Sequence, residues 1–376
     1  MKILYYYQTL ARYGGVERVL ADKMNYLSVH YGYDIYMITR DQGTHQIPFP
    51  LNEKVHYADL GIRMHTQYAY KGLRRLWEKL KLQIKFEHRI KEKIRAIQPD
   101  IIIGTDDMPA GALLRYKGSS KLVIESHTMY YVTSVDGVTN ALKKYLRYKS
   151  LSVYRKANVL VSLTHGDAMD WIQKNRNPKV IVIPNVVNLN NTGHFSTYTQ
   201  KRVIYAGRFA YLKGIPNMIK IWKLVNQKHP DWTLDFYGEG EEKEKYAPLI
   251  DSLNINFKVH EPTSDIHKEY CYSSIAILTS ISESFALVLP EEMSCGLPVV
   301  SFDCPYGPRD IIKDGINGFL IPPNNVELFA EKICLLIENE TLREKMGKAG
   351  IEYSKRFSAE IVMPQWKNLF ENLLRK

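Results

Sequence analysis

RVIYAGRFAYLKGIPNMIKIWKLVNQK, residues 202–228, runs a short apolar, β-rich segment into a loop with a glycine and two cations, then into a stretch with apolar residues at helical spacing. That is how a βαβ unit begins, with a buried strand followed by the helix that covers it. The chain opens the same way at its start: KILYYYQ leads into the loop TLARYGG and then into VERVLADKMNYLSVH, again with helical periodicity. After each opening, strand-like segments alternate with helical or looped ones. They are YDIYMIT, DIIIGTD, KLVIESH and NVLVSLT in the first half, and WTLDFYG, NINFKVH, IAILTS, LPVVSFD and GFLIPP in the second. Alternation of this kind predicts parallel sheets, and the restart near residue 201 predicts two of them.

Length supports the division, since 376 residues exceed what one ordinary core holds. The segment VVNLNNTGHFSTYTQK (186–201) is rich in Asn, Thr and Ser and lacks periodicity, so it reads as the linker. A long surface loop inside one domain is the alternative. The expected domains are residues 1–190 together with 358–376, and residues 198–357. Beyond Arg356 the tail EIVMPQWKNLFENLL has the pattern of an amphipathic helix.

Composition narrows the class. Apolar residues make up 45% and charged residues 24%, as in a folded globular protein. The formal net charge of +11 suggests an anionic partner: nucleic acid, a phosphorylated ligand or the anionic face of a membrane. MKILYYYQTL turns polar too soon for a signal-peptide core, and no later run reaches the ~18 apolar residues of a membrane span. The four cysteines form no Cys-x-x-Cys pair and sit in apolar contexts, which predicts reduced thiols in a cytoplasmic protein. Two runs stand apart in charge. One lies between Arg63 and Arg95 (KGLRRLWEKLKLQIKFEHRIKEKIR) and the other is LKKYLRYKSLSVYRK at 142–156; both mix Lys and Arg with Leu, Trp, Ile, Phe or Tyr. They read either as solvated helix faces or as a basic, aromatic-bearing surface that rests on anionic lipid headgroups.

Candidate chemistry clusters at predicted strand ends. AGRFAYLKGI (206–215) places Arg208 and Lys213 between a strand and a helix, where open parallel sheets bind ligands. Arg offers forked donors to phosphate oxygens and Lys a mobile point charge; two surface cations in a loop are the plainer reading. Gly14 and Gly15 precede the first helix, where backbone can approach an anion closely. YGEGEE (237–242) is only a Gly-x-Gly, so a dinucleotide fingerprint is missing and a dehydrogenase is poorly supported. The segment SESFALVLPEEMSCGLPVV (282–300) sets Glu283 in a loop and Glu291 eight residues on, about 12 Å away at ~1.5 Å per helical residue. A helix starting near Phe285 would offer the amides of Phe285, Ala286 and Leu287 to a phosphate. Carboxylates on either side suit vicinal hydroxyls, so the segment matches a sugar–diphosphate–ribose ligand. A carboxylate near the positive end of the helix dipole accounts for Glu283 alone, and less well for Glu291.

The Glu-x7-Glu segment ESFALVLPE (283–291), followed by EMSCGLPVVSFD, resembles the signature of the family-4 retaining nucleotide-sugar glycosyltransferases. AGRFAYLKG resembles that family's phosphate loop, RYGGVERV its N-terminal glycine loop, and VIPNVVN (182–188) its hinge-side Ile-Pro-Asn motif. IESHTMYY (124–131) is similar to the strand-end His segment facing the donor sugar, and DGINGFLIPPNN (314–325) to the closing strand. The motifs occur in the family's order along nearly the whole chain. The resemblance implies an α/β, GT-B fold: two doubly wound Rossmann-like domains facing across a cleft, with the last helix crossing back to the first. It also implies transfer of a hexose or N-acetylhexosamine from a nucleotide-sugar, expected to be a UDP-sugar, with retention at the anomeric carbon.

Position by position, the resemblance implies that Arg208 and Lys213 neutralise the diphosphate leaving group. Glu291 would hold the ribose hydroxyls and Glu283 the hexose near its 3- and 4-hydroxyls. His127 would contact the sugar near its 6-hydroxyl, with a structural loop histidine as the alternative. Gly15 would let backbone approach the phosphate or acceptor. Gly207, Gly238 and His260 would line the nucleotide together with Phe285, Ala286 and Leu287. Three positions depart from the family pattern: Ala286 stands where Gly is usual, Thr128 where Asp often follows the His, and His260-Glu261-Pro262 where a Gly commonly follows the strand, near the base. No Asp-x-Asp occurs, which fits Arg/Lys neutralisation, so neither a metal nor another cofactor is expected and the nucleotide-sugar is a substrate. SFDCPYGPRDII (301–312) resembles a subgroup that often builds bacterial polysaccharides, which points to a glycan or lipid-linked acceptor. With the basic helices on the membrane, the expected location is cytoplasmic and peripheral at its inner face. The rival readings are a sugar-nucleotide epimerase or phosphorylase-like enzyme of the same fold, a non-catalytic sugar-nucleotide binder, and a basic nucleic-acid-binding protein. The last lacks any recognition motif, so no nucleic-acid partner is expected.

Overall fold

The computed structural model describes residues 1–105, 110–134, 139–177 and 179–375. They divide into two compact units, Met1–Val186 with Val362–Lys376, and Val187–Ile361. The last helix, Ala359–Arg375, thus lies almost wholly in the first unit.

Seven parallel strands build the first unit: β1 (Lys2–Tyr7), β2 (Asp34–Thr39), β3 (Val55–Asp59), β4 (Ile101–Thr105), β5 (Lys121–Ser126), β6 (Val159–Ser162) and β7 (Val180–Val182). Their order in the sheet is β3-β2-β1-β4-β5-β6-β7. In the central strands Ile3, Leu4, Ile101, Ile102, Ile103, Leu122, Val123 and Ile124 are all buried. Runs apolar on both faces are what a parallel sheet covered by helices demands. The sequence patterns mark β1, β2, β4, β5 and β6 but not β3 or β7. These two are the edge strands; β3 (VHYAD) carries exposed polar positions and β7 has three residues, so neither gives a long apolar run.

The second unit repeats the plan with β8 (Arg202–Ala206), β9 (Thr233–Tyr237), β10 (Phe257–His260), β11 (Ile275–Leu278), β12 (Val299–Phe302) and β13 (Gly318–Ile321), in the order β10-β9-β8-β11-β12-β13, all parallel. The stretch after Val187, whose composition predicts a linker, packs into this unit. Ser196 Oγ donates to Ser273 O at 2.5 Å, and the Arg343 guanidinium donates to Tyr198 O at 2.8 Å. Short polar side chains that pair with backbone give no periodic signal, which is why this region reads as a loop.

Both sheets reverse direction beside their first strand, at β1/β4 and at β8/β11. Loops leaving the carboxyl ends of these strands diverge and open a crevice, the place where such sheets bind ligands. Topology alone therefore singles out Gln8–Gly14 in the first unit, and Gly207–Gly214 with Thr279–Leu287 in the second.

Candidate functional site

In the second unit the switch-point loops are laced together. Ile281 N donates to Leu212 O at 2.8 Å and Thr279 Oγ1 to Lys213 O at 2.9 Å. Gly214 sits at φ 68°, and a Cβ there would overlap the Thr279 carbonyl, so only glycine closes this turn. The turn brings Lys213 to Glu283: Nζ lies 2.5 Å from Oε1, which also accepts from Ser280 Oγ at 2.6 Å. Glu283 is fixed from its other side by backbone, its N–H donating to Pro305 O at 3.1 Å. Two residues 70 positions apart thus form a cation–carboxylate pair at the carboxyl ends of β8 and β11. The pair is half-buried, with the ammonium 25% and the carboxylate 11% exposed, so it remains open to a ligand while partly shielded from water.

Arg208 is not drawn into this pair. Its side chain is exposed and its guanidinium lies 3.9 Å from Glu241. Gly207 lies against the Tyr205 ring, where a Cβ would come within 3.0 Å of it, and a Cβ at Gly238 would overlap the Gly207 carbonyl. At both positions the missing side chain lets neighbouring groups at the ends of β8 and β9 approach closely. The His260 ring is stacked on Tyr237 (4.5 Å, 13°) and its Nε2 lies 2.6 Å from Asp235 Oδ1, while Asp235 and Glu269 in turn bind Arg202. Burial first, and then the bond to Glu269, push the Tyr237 phenol up to about 12, so it stays a neutral donor.

The helix expected to start near Phe285 begins at Val288 and ends at Ser294. Ala286 takes φ 69°, a left-handed conformation that no helix continues, and Phe285 buries its ring edge-on against Phe357 at 5.5 Å. The amides of Ala286, Leu287 and Val288 donate to no backbone carbonyl among the described residues. Glu291 is buried in the first turn of this helix. Its neighbour Glu292, which the sequence reading passes over, is fully buried with neither carboxyl oxygen hydrogen-bonded among the described residues. Burial, and next the charge of Glu291, push its carboxyl well above the usual range, which favours the neutral acid. Cys304 also lies beside the pair; burial first and then Glu283 push its thiol up to about 12, which keeps it unreactive.

In the first unit, Gly15 is the first residue of the helix Gly15–His30, behind Gly14 as N-cap. The Glu17 carboxylate folds back over Gly14, where a Cβ would collide with it, and accepts from Tyr7 Oη at 3.3 Å. His127 follows β5 and is buried; its Nε2 lies 3.5 Å from Glu125 Oε1. Glu125 is paired with Lys23, and both are fully buried. Burial would raise the Glu125 carboxyl, but Lys23 and His127 outweigh it and hold it at about 2. Ser280 and Lys23 fall outside the site motifs, and Glu125, inside IESHTMYY, has no role assigned by them. Each contributes through a contact distant in sequence, except Ser280, which only its place three residues before Glu283 would have marked.

Two family descriptions match the chain in sequence: "Glycosyltransferase Family 4" over residues 13–191 and "Glycosyl transferases group 1" over residues 192–353. An uncharacterized glycosyltransferase of Haemophilus influenzae is 28% identical over 98% of this chain and 99% of its own length. The amylovoran biosynthesis glycosyltransferase AmsD of Erwinia amylovora is 25% identical over 98% and 99%. Among solved structures, an S. aureus TarM variant in complex with Fondaparinux, alpha-GlcNAc-glycerol and UDP shares the fold, with TM-score 0.79 and 17% identity over 98% of this chain and 99% of that one.

Proposed function

The chain belongs to the family-4, group-1 glycosyltransferases of GT-B fold, and from that premise we propose a retaining hexosyl or N-acetylhexosaminyl transfer from a UDP-sugar to a hydroxyl of a glycan or lipid-linked glycan in surface polysaccharide synthesis. The observation that carries the site assignment is the Lys213–Glu283 pair at the switch point of the second sheet. Lys213, with Arg208 free to swing in from its exposed position, takes the diphosphate. The amides at 286–288, which meet no backbone carbonyl among the described residues, add donors to the same charge, and Gly207 and Gly238 give the nucleotide close access to backbone. Glu283 takes the hexose hydroxyls and Glu291 the ribose; His127 and Gly15 are the further residues assigned to a sugar hydroxyl and to a phosphate or acceptor. His260, tied to Asp235, lies toward the base.

In the reaction the bond between the anomeric carbon and the phosphate oxygen breaks as the acceptor hydroxyl attacks from the same face. The hydroxyl proton passes to the departing phosphate oxygen. Negative charge grows on the diphosphate, and fixed cations aimed at it lower the barrier. Glu283 is a poor nucleophile because one oxygen already accepts from both Lys213 and Ser280. That supports same-face attack over a glycosyl-enzyme.

UDP in the TarM complex supports the donor class, and the polysaccharide named for AmsD supports the acceptor class. Peripheral attachment to an anionic membrane, through residues 63–95 and 142–156, is part of the proposal. With a panel of UDP- and GDP-sugars and a polysaccharide-primed membrane fraction as acceptor, Lys213→Ala and Glu283→Ala should each cut nucleotide release at least about a hundredfold. Near-wild-type turnover in either variant overturns the site.

A further inference from the structure

The polar side chains behind His127 form a chain. Glu125 occupies the central strand β5 and Lys23 the helix Gly15–His30, each 1% exposed and paired with the other. The Lys23 ammonium also lies over the rings of Trp366, at 4.1 Å, and Tyr5, at 5.5 Å. Trp366 comes from the C-terminal helix Ala359–Arg375 and Tyr5 from β1, so four elements of this unit converge on one buried ion pair. Such a pair stabilises the fold little, because desolvating each ion costs several kcal/mol and an apolar pair of similar volume often does as well.

The second oxygen of Glu125 offers a use for it. Oε1 lies 3.5 Å from His127 Nε2, an electrostatic contact longer than a good hydrogen bond, and the buried Nε2 has no hydrogen-bond partner among the described residues. A carboxylate oxygen facing a bare ring nitrogen would set lone pair against lone pair, so Nε2 must carry the proton. The partner of one imidazole nitrogen sets the state of the other, so a ring that carries a single proton, held on Nε2 by the facing carboxylate, presents Nδ1 as an acceptor.

We propose that Glu125, oriented by Lys23 beneath Trp366, is the positioning residue for His127: it fixes the ring proton on Nε2, so that Nδ1 is the atom that accepts a hydrogen bond from a sugar hydroxyl. This rests on the reading that His127 faces that sugar. Lys23 neutralises Glu125 and keeps its carboxylate from turning away, and the C-terminal helix closes the assembly from water.

The test uses the full chain labelled with 15N-histidine, with His127 assigned from the peak missing in His127→Ala. Long-range proton–nitrogen spectra should show the wild-type ring protonated on Nε2. In the apolar replacement Lys23→Met/Glu125→Leu the ring should sample both tautomers, with Glu125→Gln as a milder second variant. A wild-type ring protonated on Nδ1 overturns the proposal, whatever the activity. With UDP-N-acetylglucosamine as probe, the paired replacement should lower kcat roughly tenfold, the scale on which outer partners of a ligating histidine act, with KM within about twofold. In a His127→Ala background it should cost nothing further, because groups acting through one residue are not additive. An equal loss in both backgrounds marks a purely structural pair and overturns the proposal. Wild-type activity in His127→Ala instead removes His127 from the donor site, and the tautomer still decides whether Glu125 positions the ring.

Discussion

Two single residues in the second unit carry stored cost. Ala286 adopts φ 69° where the family's usual glycine would be unstrained. The left-handed conformation costs an alanine about 1–2 kcal/mol, and glycine gives back part of that through its freer unfolded chain. Ala286→Gly should therefore raise stability by about 0.5–1 kcal/mol by denaturant unfolding, and no gain would show that neighbouring contacts have relaxed the strain. Glu292 is the second. An unfolded glutamate ionises near its ordinary value of 4.5, whereas the buried one stays protonated far above it. Below that value both states hold the proton and the native state has its full stability. As the pH rises past it, the unfolded chain alone gains by ionising, and stability falls. Glu292→Gln, which cannot ionise, should raise the unfolding midpoint at about pH 8 relative to wild type and leave little or no gain at about pH 4. An equal gain at both would contradict the assignment. The placing of Lys213 and Glu283 at the carboxyl ends of β8 and β11 was legible because motif and strand end coincide in sequence. The pairing of Lys23 with Glu125 was not, because 102 residues separate them and a buried Lys carries no periodic mark.

At the scale of elements, long apolar runs mark strands plainly in the sequence, whereas boundaries set by tertiary context leave no such mark. The central strands have continuous apolar runs; edge strands β3 and β7 do not. The helix before Cys295 starts at Val288 because Ala286 breaks it, and spacing alone does not reveal a positive φ. The helix Gly72–Ile97 is informative in the opposite sense. Only Phe86, Ile90 and Ile94 are buried, all in its C-terminal half. Leu73, Leu76, Trp77, Leu80 and Ile84 are 50–84% exposed, at spacings of three and four residues, amid Arg74, Arg75, Lys79, Lys81 and Lys85. The helix Ala141–Lys156 adds exposed Tyr145 and Tyr148. Of the two sequence readings, a helix packed on its domain through the apolar side fits only the C-terminal half. An exposed apolar stripe amid cations suits an anionic bilayer surface. The protein should float with vesicles containing phosphatidylglycerol at low salt, and Leu73→Ser/Trp77→Ser/Leu80→Ser should lower the partition onto them about a hundredfold at equal stability, since each exposed side chain contributes ~1 kcal/mol on partial burial. Equal flotation of the triple variant would discard this face.

For the whole molecule, the restart near residue 201 made the doubled architecture legible: both sheets centre on a strand–loop–helix opening and reverse beside it. No sequence repeat accompanies it, because what recurs is apolar rhythm and strand-end chemistry. Among the described residues no helix is long and apolar enough to cross a membrane. A net charge of +11 agrees with both an anionic nucleotide donor and an anionic surface. The most direct test of the central claim, that the Lys213 switch point of the second sheet is a nucleotide-sugar site, is calorimetric titration of the protein with UDP. The account predicts saturable one-to-one binding, weakened about tenfold or more by Lys213→Ala and by Glu291→Gln; no binding, or binding that both variants leave unchanged, would contradict it.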